Sequence, residues 1–148
     1  MFTKKHYTGC TVADGVPGTR AGIQFWNPTE STKTYKITAI SIASSYSATP
    51  AIAGGDIRDT YSALGTLQNH GFDNIVGEPV SQAEIRACNI APLLLPSAPR
   101  IEYWLKEGWR TLNYPLQKPL IVQPGKGILI ADAHDGQYLI ATFEFSEC

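Results

Sequence analysis

The sequence predicts an all-β chain: an antiparallel, jelly-roll-like β-sandwich of about eight strands, preceded by an irregular N-terminal arm. Three observations predict it. Thr, Ser, Tyr, Ile, Gly and Pro are prominent while Lys and Glu are sparse, a bias toward strands and turns. Several short segments alternate apolar and polar residues with the period of two that a half-buried strand requires. The stretch 118–144 falls into three β-branched apolar runs separated by two turn dipeptides. Pro124-Gly125 suits a type II turn, because proline presets φ at the second position and glycine accepts a positive φ at the third. Asp135-Gly136 suits a tight type I′ hairpin. The three runs therefore read as an antiparallel meander.

Taken in order, residues 1–19 are polar and carry the turn signals Asp14-Gly15 and Pro17-Gly18, so they read as an arm or irregular lead-in. Residues 20–148 read as the sandwich domain. From Arg20 to Trp26, Ala21, Ile23 and Phe25 fall on one face and Gly22, Gln24 and Trp26 on the other. Residues 27–32 form a loop by composition. From Thr34 to Ala43 the pattern changes phase: Tyr35, Ile37 and Ala39 share a face, whereas Ile40 and Ile42 belong to the other. A one-residue slip flips every side chain, so this marks either a bulge or burial on both faces. The stretch 44–80 is the least regular. SSYSATPAIAGGD is small and glycine-rich, and 59–67 fits a short helix or a strand. From Gln82 to Asn89, Ala83, Ile85 and Ala87 oppose Glu84, Arg86 and Cys88. In 89–99 three prolines exclude a central strand and fence Leu93, Leu94 and Leu95, which must cap a core or meet a partner. Arg100 to Leu105 alternates again, with Ile101, Tyr103 and Leu105 inward and Trp104 outward. Glu107-Gly108 turns the chain into Trp109 to Tyr114.

At 148 residues the chain is the size of one domain and long enough to bury a core without staples. A formal net charge of −1 with scattered basic residues excludes the basic stripe expected of a nucleic-acid binder. No apolar run is long enough to span a membrane, and the N-terminus lacks the apolar region of a signal peptide, so synthesis in a cytoplasm is expected. Cys10, Cys88 and Cys148 are odd in number and widely spaced, which fits neither a disulfide framework nor a zinc site.

A catalytic constellation is missing. His6 lies in the arm, His134 beside a turn, and His70 in the irregular middle, where Asp73 is its only nearby acid. No GxSxG, HExxH or GxxxxGK[ST] occurs. Gly125-Lys126-Gly127 precedes no helix and so is not a phosphate cradle. Asp56 and Asp59 supply too few oxygens for calcium. Glu84 and Glu102 fall on solvent faces of strands, where carboxylates are ordinarily just hydrated; glycoside hydrolysis would need them facing each other across a groove. No enzyme activity, cofactor or metal is expected. Trp26 and Trp104 fall on outward faces and Trp109 follows a turn. They are either core under a second sheet or contacts in a protein interface, where tryptophan is a frequent hot spot. Trp26, Trp104, Trp109, Leu93, Leu94 and Leu95 are the candidate interface residues.

Two segments resemble a known group of proteins. Ile23-Gln24-Phe25-Trp26-Asn27-Pro28, followed by Ser31-Thr32-Lys33 and the strand Tyr35 to Ser41, is similar to a Leu-Trp-Asn-Pro…Ser-Gly-Lys opening of small β-sandwich virion structural proteins of tailed bacteriophages. Those proteins close with a segment like residues 119–129 and a final strand like Tyr138 to Glu144. Both segments occur here in that order. The resemblance implies a noncatalytic structural role in the virion, assembled in the host cytoplasm: a capsid decoration or cement protein, or a small tail or fibre component. It also implies a homo-oligomer whose partner is the major capsid protein or another virion protein. A carbohydrate- or receptor-binding module of a tail fibre is the alternative, with tryptophans as platforms for sugar rings.

Overall fold

A computed structural model of the chain describes residues 5–15, 21–44, 51–58, 63–73, 81–88, 100–106, 112–132 and 138–148. The described residues form strands and no helix. The strands are β1 (His6–Asp14), β2 (Gly22–Asn27), β3 (Tyr35–Ser44), β4 (Ala51–Arg58), β5 (Thr66–Asn69), β6 (Phe72–Asp73), β7 (Glu84–Cys88), β8 (Arg100–Lys106), β9 (Leu112–Val122), β10 (Lys126–Asp132) and β11 (Tyr138–Glu147). They build two antiparallel sheets, five-stranded β6-β1-β11-β3-β9 and six-stranded β5-β7-β2-β10-β4-β8.

The pairing is nested. β1 pairs with β11, β2 with β10, β3 with β9 and β4 with β8, and successive pairs fall in alternate sheets. The stretch between β4 and β8 contributes β5, β6 and β7, which extend the free sides of both sheets beyond β1 and β2.

Three expectations change. Within the expected arm, residues 6–14 form a strand: β1 pairs with β11 over nine residues, from His6↔Ser146 to Asp14↔Tyr138. Its inward positions include Gly9 and Thr11, so its alternation is faint in hydrophobicity and the register comes from β11. Small, glycine-rich 51–58 is a strand held between β10 and β8. The closing meander is three strands, as expected, but they are not sheet neighbours. β9 and β11 belong to the five-stranded sheet and β10 to the other. The Pro124-Gly125 turn itself forms: Gly125 has φ of 78° and Lys126 N donates to Gln123 O at 3.1 Å. Turn chemistry dictates that the chain reverses there, while burial of distant residues selects the pairing. Asp135-Gly136 lies outside the described residues.

The phase change in β3 is a bulge. Toward β11, Ala39 pairs with Glu144 and Ile37 with Phe145, leaving Thr38 as the extra residue. Toward β9 the register jumps from Leu120 to Pro115 across the same point, with residues 116–119 of β9 unpaired with β3. Tyr35 and Ile37 before it, and Ile40 and Ile42 after it, all enter the core. Pro115 and Pro119 sit in β9, at the end of its sheet, where a strand residue lacking an N–H is tolerated. The core between the sheets is aromatic at its centre. Phe145 packs edge-on to Phe25 with ring centroids 4.8 Å apart, edge-on to Tyr35 at 5.6 Å and stacked with Tyr7 at 5.3 Å. Such geometries suit the ring quadrupoles.

Candidate interaction surface

The two segments that carry the family resemblance meet in space. β2 and β10 pair from Lys126↔Asn27 to Ala131↔Gly22. Gly125 N donates to Asn27 O at 2.7 Å, docking the turn on the end of β2. The fully buried Asn27 side chain completes the join: Nδ2 donates to Lys33 O at 2.8 Å and to Val122 O at 3.0 Å. Ser31-Thr32-Lys33 is held from the other side by Gln82, whose Oε1 accepts from Ser31 Oγ and Thr32 N, each at 2.9 Å. Gln82 N in turn donates to the Tyr35 hydroxyl at 2.9 Å. These motifs hold the fold together.

The outer face of the six-stranded sheet is closed around β2. Trp26, Gln24 and Leu129 lie on the side away from the core cluster, yet each is buried. Residues 64–65 cross this face: Leu64 N donates to Gln24 Oε1 at 2.7 Å, and Arg86 donates to the carbonyls of Leu64 and Gly65, each at 3.1 Å. The Trp26 ring lies so close over Gly127 that a Cβ there would stand 2.9 Å from ring atom Cε3. Trp26 is therefore 4 % exposed and is removed from the interface candidates. Alternation placed it correctly on the outward side, but it carries no information about a loop folding back over that side. Trp104 lies in β8, paired with Ala53. Its side chain, Trp109, and the segment with Leu93, Leu94 and Leu95 lie outside the described residues.

The opposite outer face is open. Among the described residues, five large apolar side chains are exposed: Val12, Leu67, Phe72, Ile121 and Tyr138. Four of these sit on the outer face of the five-stranded sheet. Phe72 pairs with Thr8 on β1, Tyr138 with Asp14 and Ile121 with Lys36. Val12 pairs with half-buried Ile140, which in turn pairs with Ala43. Phe72 is 65 % and Val12 50 % exposed, and the positions around them are small or hydroxylic, including Cys10, Ser41 and Thr142. The result is an exposed surface with apolar residues spread across it among small, hydroxylic and charged ones, Asp14, Lys36 and Glu144 included. Around its β1 margin, Val12 and Asp14 border a groove of about 380 Å³ whose other wall includes Thr66, Gln68 and Cys88. Sequence reasoning missed this face because it took β1 for an arm. The alternation of His6, Thr8, Cys10 and Val12 against Tyr7, Gly9, Thr11 and Ala13 was the signal available.

A second concavity, of about 480 Å³, brings together Glu30, Ser31, His70, Gln82 and Glu84. Much of its polar capacity is used internally. Gln82 holds the 31–32 loop, and Glu84 Oε1 is paired with Arg86 Nη1 at 2.6 Å. Among the described residues no Trp, Tyr or Phe lines it. Glu84 and Glu102 stand on β7 and β8, four strand steps apart in one sheet, or roughly 19 Å between strand backbones. That is well beyond the separation a glycosidase pair requires. Among the described residues no three His, Cys, Asp or Glu side chains are grouped to hold a metal ion. Cys10 and Cys148 are exposed thiols. Comparison with protein-family models, curated proteins and solved structures finds no match to this chain.

Proposed function

We propose that this chain is a noncatalytic structural protein of a bacteriophage virion, a capsid decoration or cement protein that binds the lattice of the major capsid protein. The nested strand order supports a jelly-roll arrangement, in which one long folded hairpin is rolled into two sheets. The observation that carries the reading is the open outer face of the five-stranded sheet. Exposed Val12, Phe72, Ile121 and Tyr138 are gathered there, while the corresponding face around β2 is sealed by the chain itself. Exposed apolar side chains on one face give it a surface able to contact a partner. The resemblance supports the major capsid protein as the partner, and an exposed sheet face carrying scattered apolar side chains suits contact with a protein surface.

A carbohydrate-binding module of a tail fibre is the second reading, supported by the concavity around Glu30, His70 and Glu84. Against it, Trp26 is buried and, among the described residues, no Trp, Tyr or Phe lines that concavity. The two separate experimentally. Purified protein is sedimented with capsids assembled from the major capsid protein of its own phage, and in parallel applied to a glycan array. Saturable co-sedimentation with a silent array is expected. A glycan signal abolished by Glu30→Gln, with the protein left in the capsid supernatant, would overturn the proposal.

A further inference from the structure

The six-stranded sheet ends at β8, and among the described residues nothing pairs with the far side of that strand. A seven-residue edge offers its free N–H and C=O groups as a template for another chain. The long edge of the other sheet, β9, is blunted by Pro115 and Pro119, whereas β8, Arg-Ile-Glu-Tyr-Trp-Leu-Lys, contains no proline. The occupant that the β8 sequence fits is another β8.

Two-fold symmetry limits how this can happen. In an antiparallel pair, hydrogen-bonded and non-hydrogen-bonded residue pairs alternate, so a symmetric self-pairing must be centred on a residue, never between two. Each centre sets a different charge pattern. Centring on Glu102 opposes two glutamates. Centring on Tyr103 opposes Arg100 to Lys106 twice. Centring on Ile101 or Leu105 leaves little of the strand paired. Centring on Trp104 brings Glu102 of each copy opposite Lys106 of the other, Tyr103 opposite Leu105, and Trp104 opposite itself. Opposite charges placed directly across strands stabilise a pair and like charges destabilise it.

We propose that β8 pairs antiparallel with β8 of a second copy about Trp104, joining two six-stranded sheets into one continuous sheet. This rests on the homo-oligomer in the reading above and adds its interface; it does not depend on capsid binding. It also gives Trp104 a place at the dyad and leaves the outer face of the five-stranded sheet free for the lattice.

The test is sedimentation velocity on the full chain, comparing wild type, Glu102→Lys, Lys106→Glu and the double exchange, with circular dichroism to verify the fold. Wild type is expected to be a dimer. Each single exchange sets like charges opposite each other twice and should weaken dimerisation about tenfold or more, and the double exchange should restore it. If a single variant misfolds, the double exchange decides, since it must dimerise like wild type. A monomeric wild type would overturn both this interface and the oligomer. An oligomer unaffected by the single exchanges would overturn the interface alone, as would a double exchange that stays dissociated.

Discussion

Asn27 joins three segments with one side chain, and the chemistry of the amide is what allows it. Both Nδ2 hydrogens are spent on carbonyls, those of Lys33 and Val122, in a site closed to water. Asn27→Asp would set an acceptor-only carboxylate against two carbonyl oxygens. Urea denaturation should show a loss of about 3 kcal/mol or more, from two orphaned carbonyls and a buried charge. Tyr35 is the other polar anchor. Burial pushes its phenol above the ordinary value of 10.0, despite the hydrogen bond it accepts from Gln82 N. The unfolded chain therefore ionises first. Stability held below pH 10 declines as pH rises toward the higher folded-state value. Tyr35→Phe should cost about 1–2 kcal/mol at neutral pH, because Gln82 N loses its acceptor, and should flatten the alkaline decline. Thermal midpoints of both proteins across that range check the sign.

Among the elements, β3 shows how a departure from regularity is read from a sequence. Its phase change was visible in Tyr35, Ile37, Ile40 and Ile42, and Thr38 is the residue that absorbs it. Deleting Thr38 would restore a regular strand at the expense of the core, turning one half of these side chains toward water. With Ile40 and Ile42 displaced, the loss should be about 3–6 kcal/mol, measured as a fall in the denaturation midpoint. Strands β2 and β7 were legible for the same reason: their inward residues, Ala21, Ile23, Phe25, Ala83 and Ile85, are apolar and their period is clean. β1 and β4 were not, since glycine, alanine and threonine at strand positions look like loop residues until a partner strand is known. The site suffered more than the fold. Alternation assigns a residue to a side of a sheet, and Trp26 was assigned correctly. Whether that side is open depends on residues 64–65 crossing it, a contact between segments forty positions apart that no local pattern encodes.

At the scale of the whole molecule, the two faces of the sandwich differ in kind. The six-stranded sheet is covered around β2 by its own chain and, among the described residues, has β8 as its last strand, while the five-stranded sheet presents exposed Val12, Phe72, Ile121 and Tyr138. The proposed binding to a larger surface rests on these exposed apolar side chains. Because these side chains are already exposed, replacing them alters binding far more than stability, in line with the small effects of surface substitutions. The decisive measurement is co-sedimentation of the chain with capsids assembled from the major capsid protein proposed as its partner, comparing wild type with the double variant Val12→Asp, Phe72→Asp, whose stability should stay within about 1 kcal/mol of wild type. The account predicts saturable binding by wild type and at least a tenfold weaker affinity for the variant. Equal binding by the two proteins would contradict the assignment of this face, and no binding by either would contradict the capsid role itself.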